Sequence, residues 1–146
     1  MQRRIPLITL TLLFSTVLHA QAYKNGAGIR AGFSSGLNYR HLTDRNMVYE
    51  GQALFNRTGF QFTALAAYQF TPHDKKRVYY YAGAGPYYGN WDGETAVGAA
   101  LSIGAEYVYR QVPLTMGVEW KPMVNIYTAT NYFIPDFGVT VRLVIN

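Results

Sequence analysis

Val97-Gly98-Ala99-Ala100-Leu101-Ser102-Ile103-Gly104-Ala105-Glu106-Tyr107-Val108-Tyr109-Arg110 is the stretch that decides the fold. Val97, Ala99, Leu101, Ile103, Ala105, Tyr107 and Tyr109 take one parity. Gly98, Ala100, Ser102, Gly104, Glu106 and Arg110 take the other. A strand sends successive side chains to opposite faces. This segment therefore has one oily face and one polar or very small face. A closed antiparallel barrel that crosses a membrane has that pattern, apolar outside and polar inside.

The pattern spreads in both directions from 97–110. Phe60, Phe62, Ala64, Ala66, Tyr68 and Phe70 oppose Gln61, Thr63, Leu65, Ala67 and Gln69. Leu114, Met116, Val118, Trp120, Val124 and Ile126 oppose Thr115, Gly117, Glu119, Lys121, Met123 and Asn125. Phe137, Val139, Val141, Leu143 and Ile145 oppose Gly138, Thr140 and Arg142. Met47, Tyr49, Ala53 and Phe55 oppose Glu50 and Gln52, while 77–91 is aromatic on both parities. Turn-forming clusters separate these runs at Thr43–Asn46, Asn56–Gly59, Thr71–Lys76, Asp92–Glu94 and Arg110–Pro113.

The beginning of the chain reads as targeting. Arg3 and Arg4 precede an apolar stretch from Ile5 to Leu18, and Ala20-Gln21-Ala22 fits a small-x-small cleavage site. The apolar run falls short of the ~20 residues of a spanning helix. The sequence thus predicts a signal peptide over 1–22 and one domain over 23–146. Without Arg3 and Arg4, the 13 basic residues fall to 11 against 8 acidic ones, a net charge of +3. That balance is mild, and the basic residues are dispersed, which excludes a nucleic-acid partner. There is no Cys, so an exported domain of this size needs a large core or a membrane for stability.

The strand count turns on 23–42. That segment is either one long strand or a hairpin broken at Ser34-Ser35-Gly36. Single-chain bacterial barrels use even numbers of strands, which selects the hairpin. Eight strands follow, at 23–33, 37–43, 47–56, 59–70, 77–91, 97–110, 113–126 and 137–145. Both termini then share the periplasmic end. Pro86 and Pro122 fall inside strands, where a closed barrel has no free edge, and each is expected to mark a bulge or kink.

Gly28-Ile29-Arg30-Ala31-Gly32-Phe33, Gly36-Leu37-Asn38-Tyr39-Arg40, the Asp44-Arg45-Asn46 turn, Gly104-Ala105-Glu106-Tyr107 and Glu119-Trp120-Lys121-Pro122 carry a resemblance. The chain resembles the small eight-stranded bacterial outer-membrane barrels of the outer membrane protein X type and the compact outer-membrane β-barrel domain proteins. The resemblance covers the whole of 23–146 and implies an outer-membrane location. Such chains commonly end in an aromatic residue, and this one departs from them with Val144-Ile145-Asn146.

The inward parity carries Arg30, Arg40, Glu50, Arg77, Glu106, Arg110, Glu119, Lys121 and Arg142. About eight strands leave an interior that side chains fill. Charges placed there must pair, because an unpaired buried charge is expensive. The reading is a polar core that fixes register, rather than an anion path. Glu106 and Glu119 are expected to form salt bridges rather than a glycosidase-like carboxylate pair. His41 with Ser34 or Ser35 would be the candidates for a lipid-modifying enzyme, but they sit at opposite ends of a short strand. His73 beside Asp74 and the absence of Cys give no metal-ligand spacing. Gly83-Ala84-Gly85-Pro86 opens no helix, so it offers no phosphate cradle. No catalytic residue, cofactor or metal is expected.

Trp91, Trp120, Tyr127, Tyr132 and Phe133 are candidates for interfacial girdles. The 127–136 connection is the expected place for any surface ligand. Outer-membrane lipid is the expected partner of a monomer. The alternative reading is a soluble, lipocalin-like binder of a small apolar ligand, with the two faces reversed.

Overall fold

The computed structural model describes residues 23–71, 77–127 and 133–145. The expected signal peptide at 1–22 lies outside the described residues. Eight strands follow one another: β1 Asn25–Gly32, β2 Ser35–Leu42, β3 Met47–Phe55, β4 Gly59–Phe70, β5 Val78–Trp91, β6 Glu94–Val108, β7 Leu114–Asn125 and β8 Phe133–Ile145. Each pairs antiparallel with the next, and β8 returns to β1, so the sheet closes as an up-and-down barrel.

The hairpin reading of 23–42 holds. Its loop is Phe33-Ser34 rather than Ser34-Ser35-Gly36, so it starts one residue earlier and β2 begins at Ser35. Arg30 Nη1 caps the Ser34 carbonyl at 2.8 Å, and the Ser35 hydroxyl accepts from the Gly32 amide at 3.3 Å. The β5–β6 hairpin closes through Asp92-Gly93, with φ of 52° and 82° and Trp91 paired to Glu94. Positive φ at both central residues is the primed turn that matches strand twist, and Asp-Gly suits it.

The two prolines do not produce bulges. Register stays constant past each, with no extra residue inserted. Instead the β4–β5 ladder is interrupted at Ala64 and Leu65, facing Pro86 and Gly85. The β6–β7 ladder is interrupted at Leu101 and Ser102, facing Pro122 and Lys121. A missing N–H removes a rung without adding a residue to the strand.

The sidedness follows the parity. Ile29, Phe62, Leu101 and Val118 are 60%, 50%, 54% and 57% exposed on the outer wall. Glu106 and Arg142 are 1% and 0% exposed inside. These are not the faces of a lipocalin-like barrel, whose apolar side chains would point inward. The interior is stratified. Leu42, Val48, Ala67 and Tyr81 form an apolar plug near the chain termini. Leu65, Tyr87, Ala96, Ala100 and Met123, with Trp91 against them, form a second plug toward the other end. Charged and amide side chains fill the space between. Glycine makes room for the largest of these. A Cβ on Gly138 would lie 2.5 Å from the Arg30 guanidinium carbon, and one on Gly104 would overlap the Tyr81 ring.

Candidate functional site

Two ionic clusters occupy the lumen. The first lies in the half nearer the termini and joins β2, β3, β6 and β8. Arg40 and Glu50 are direct cross-strand partners. Arg40 Nη2 meets Glu50 Oε2 at 2.6 Å, and its Nη1 meets Glu106 Oε2 at 2.7 Å. Arg142 meets the remaining oxygens, Glu50 Oε1 at 3.0 Å and Glu106 Oε1 at 3.1 Å. Each cation thus bridges both anions and each anion bridges both cations, which makes a neutral square. The Arg40 guanidinium also lies 4.1 Å from the centre of the Tyr81 ring, a cation–π contact.

Neutral groups complete this square. The Tyr23 hydroxyl donates to Glu106 at 2.7 and 2.6 Å, and Thr115 donates to it at 2.5 Å. Tyr23 precedes β1, and burial together with the Glu106 carboxylate pushes its phenol well above the ordinary range. It therefore remains a donor. With its carbonyl turned toward Arg142, Asn38 accepts from Nε at 3.1 Å and from Nη2 at 3.0 Å. Charge-assisted bonds of this kind are the strong ones, and satisfying every lone pair is what makes a buried ion cluster tolerable.

The second cluster lies farther from the termini and joins β1, β7 and β8. Arg30 Nε donates to Glu119 Oε2 at 3.0 Å, and its Nη2 faces Asp136 Oδ1 at 3.1 Å. Lys121 and Asp136 are cross-strand partners with their charged atoms 3.5 Å apart. Lys121 donates to Gln52 Oε1 at 2.5 Å, and Ser102 donates to Glu119 at 2.7 Å. The Gln52 amide reaches Glu50 at 2.8 Å and Glu119 at 3.1 Å, which links the two clusters. This cluster is less complete: both Asp136 oxygens and Arg30 Nη2 are buried without an aligned hydrogen bond among the described residues.

The structure brings together Arg30, Arg40, Glu50, Glu106, Glu119, Lys121 and Arg142 of the nine charges assigned to the inward face. Arg77 and Arg110 are corrections. Both are exposed, and they lie outside the strands, just before Val78 and beyond Val108. Parity selects a face only while the strand lasts, and these two continue the inward count past the end of the wall. Arg77 donates to the Tyr107 hydroxyl at 3.3 Å.

Asp136 takes the place that sequence reasoning left empty. The sequence puts it in the 127–136 connection, but β8 begins at Phe133, and Asp136 is fully buried. Its parity with Gly138, Thr140 and Arg142 was the available signal. Among the described residues, the lumen then holds four cations and four anions. Of the connection itself, Tyr127 is described and exposed, while 128–132 lie outside the described residues.

Other arrangements weighed from the sequence do not assemble. His41 Nδ1 contacts Asn25 Oδ1 at 2.7 Å, while Ser34 and Ser35 sit at the opposite end of β2. Glu106 and Glu119 belong to separate clusters, each held by arginine. Among the described residues, no group of three or more His, Asp or Glu is placed to hold a metal ion. Nor is any helix there long and apolar enough to cross a membrane. His73 and Asp74 lie outside the described residues.

A closed eight-stranded barrel with an apolar wall and a filled ionic lumen is the class of protein these observations define. The crystal structure of Neisserial surface protein A is similar to it, with a TM-score of 0.57 and 14% identity over 83% of this chain and 94% of that one. At that identity the likeness concerns the fold. No protein-family model matches the chain, and no curated protein matches it.

Proposed function

We propose that this protein is an integral barrel of the bacterial outer membrane, a monomer with a structural or surface-interaction role and no catalysis. The sidedness of the wall carries the reading. Phe62, Leu101 and Val118 point outward while eight charges are enclosed. Water opposes that much contiguous apolar surface, whereas lipid hydrocarbon accepts it. Strands of 8 to 15 residues suit a tilted crossing. The similar fold of a protein described as a neisserial surface protein supports the same placement.

In this reading the lumen is a register lock. Each charge cancels against partners on other strands, so a strand that slipped by one residue would turn its charges into lipid. Ile126 and Tyr127, 74% and 80% exposed where β7 ends, are where a surface ligand would meet the barrel.

The test is membrane fractionation of the expressed chain, followed by gel migration with and without heating. Retention in the outer-membrane fraction until detergent is added is expected, with migration that changes on boiling. Release into the aqueous phase without detergent would overturn the reading.

A further inference from the structure

The two rims of the barrel differ in chemistry. At the end that holds the termini, Arg45, Arg77 and Arg110 are exposed, one at each of the three connections, and Lys24 is exposed before β1. Asp44 is the one acid of that rim among the described residues. The opposite rim has Arg57 against Asp92 and Glu94, all exposed. One end is therefore basic and the other weakly acidic.

The aromatic girdles differ in the same sense. On the outer wall toward the basic end, the aromatic residues are Tyr39, Tyr49, Tyr68, Tyr80, Tyr107 and Tyr109, joined by Phe70. Among the described residues toward the other end they are mostly Phe33, Phe55, Phe60, Phe62, Trp120 and Phe137, with Tyr88 and Tyr127 as the exceptions. Tyrosine places a hydrogen-bonding hydroxyl at headgroup depth, and phenylalanine does not. The Arg77–Tyr107 bond joins the cationic rim to the hydroxyl girdle, and Tyr107 packs edge-on against Tyr109 with ring centres 4.9 Å apart.

We infer that the terminus-end rim is a collar for anionic phospholipid headgroups in the leaflet on that side. The inference rests on the membrane placement proposed above. Guanidinium groups pair with phosphate oxygens in a fork, and the girdle hydroxyls lie alongside to donate to ester oxygens. The cations are spread around the circumference rather than stacked in one spot. That spacing suits several lipids bound one per turn better than one polyanion bound at a point. The acidic opposite rim lacks the complementary charge, so the collar also biases which way the barrel sits between unlike leaflets.

The test exchanges the full chain, extracted from membranes, into bilayer discs of equal phosphatidylcholine and phosphatidylglycerol. Native mass spectrometry then counts the lipids retained on the released barrel. At low salt, phosphatidylglycerol should be retained over phosphatidylcholine by roughly tenfold, since each basic group near an anionic surface contributes on the order of a few-fold. The R45Q/R77Q/R110Q variant should fall to near parity, and R57Q should keep the preference. Equal retention in the unaltered protein would overturn the inference, as would a preference that survives the triple change or is lost equally in R57Q. If the triple variant loses its heat-dependent gel shift, R77Q and R110Q alone are compared, each with a roughly twofold drop expected and no drop overturning it. Failure of the membrane placement itself registers separately, as release without detergent.

Discussion

The two ionic clusters contain the same number of charges and are built differently. The square of Arg40, Glu50, Glu106 and Arg142 is closed, with both oxygens of each carboxylate engaged. The chain of Glu119, Arg30, Asp136 and Lys121 is open, its last pair is 3.5 Å apart, and Asp136 accepts no aligned hydrogen bond among the described residues. Burial is equal in the two, so enclosure alone does not explain the difference. Strand pairing does. The square draws its charges from four strands: β2 and β3 are neighbours, and β6 and β8 reach them across the lumen. The open cluster draws all four charges from β1, β7 and β8, on one side of the cylinder. A ring needs partners from opposite walls, and a one-sided arc leaves its terminal member short of donors.

The largest expected effect breaks the square. Glu106→Ala leaves Arg40 and Arg142 to share Glu50, an excess of one buried positive charge, and removes the acceptor of Tyr23 and Thr115. A loss of about 3–5 kcal/mol is expected from uncompensated buried charge, measured as the urea midpoint of unfolding from vesicles. A second change leaves both clusters intact and attacks the wall. Leu101→Lys, on the outer face, should cost about 2–4 kcal/mol if its depth is near the bilayer midplane.

The open cluster should respond less. Lys121→Met leaves Asp136 with Arg30 alone, and a loss of about 1–3 kcal/mol is expected for an unsatisfied group. The paired change Lys121→Met with Asp136→Leu should recover most of that loss, because replacing both ions with apolar groups is often near neutral. Unequal midpoints for Glu106→Ala and Lys121→Met would sharpen the contrast, and equal ones would break it. The smallest effect belongs to the exposed turns. Arg77→Ala and Arg110→Ala should each shift stability by less than about 0.5 kcal/mol in neutral lipid.

Much of this was legible along the chain. The alternation in 97–110 and its counterparts set eight strands and told the outer wall from the lumen, because period two is a local property of extended backbone. Glu50, Glu106, Glu119 and Arg142 were readable as interior by that count. The same count misplaced Arg77 and Arg110, since parity is defined only within the wall, and strand ends depend on where neighbours stop pairing. It missed Asp136 for the complementary reason: β8 extends four residues earlier than 137 because β7 continues to pair with it, Val124 to Phe133. Tyr23 falls in the first strand by sequence, at 23–33, with the parity of the outward Ile29; instead it precedes β1 and is buried, its place defined by its reach to Glu106. The prolines were recognised as faults, but whether a fault becomes a bulge or a missing rung is decided by the neighbouring strands, which here hold register.

What the sequence determined by itself is the face each strand residue takes, since that follows from backbone geometry two residues at a time. What only the tertiary structure decided is who pairs with whom. Closure of β8 onto β1 brings Arg142 to Glu50 across 92 positions of chain and Arg30 to Glu119 across 89. Such partnerships depend on stagger and lumen width, which no local pattern encodes. They turn a list of inward charges into a neutral square and an open arc.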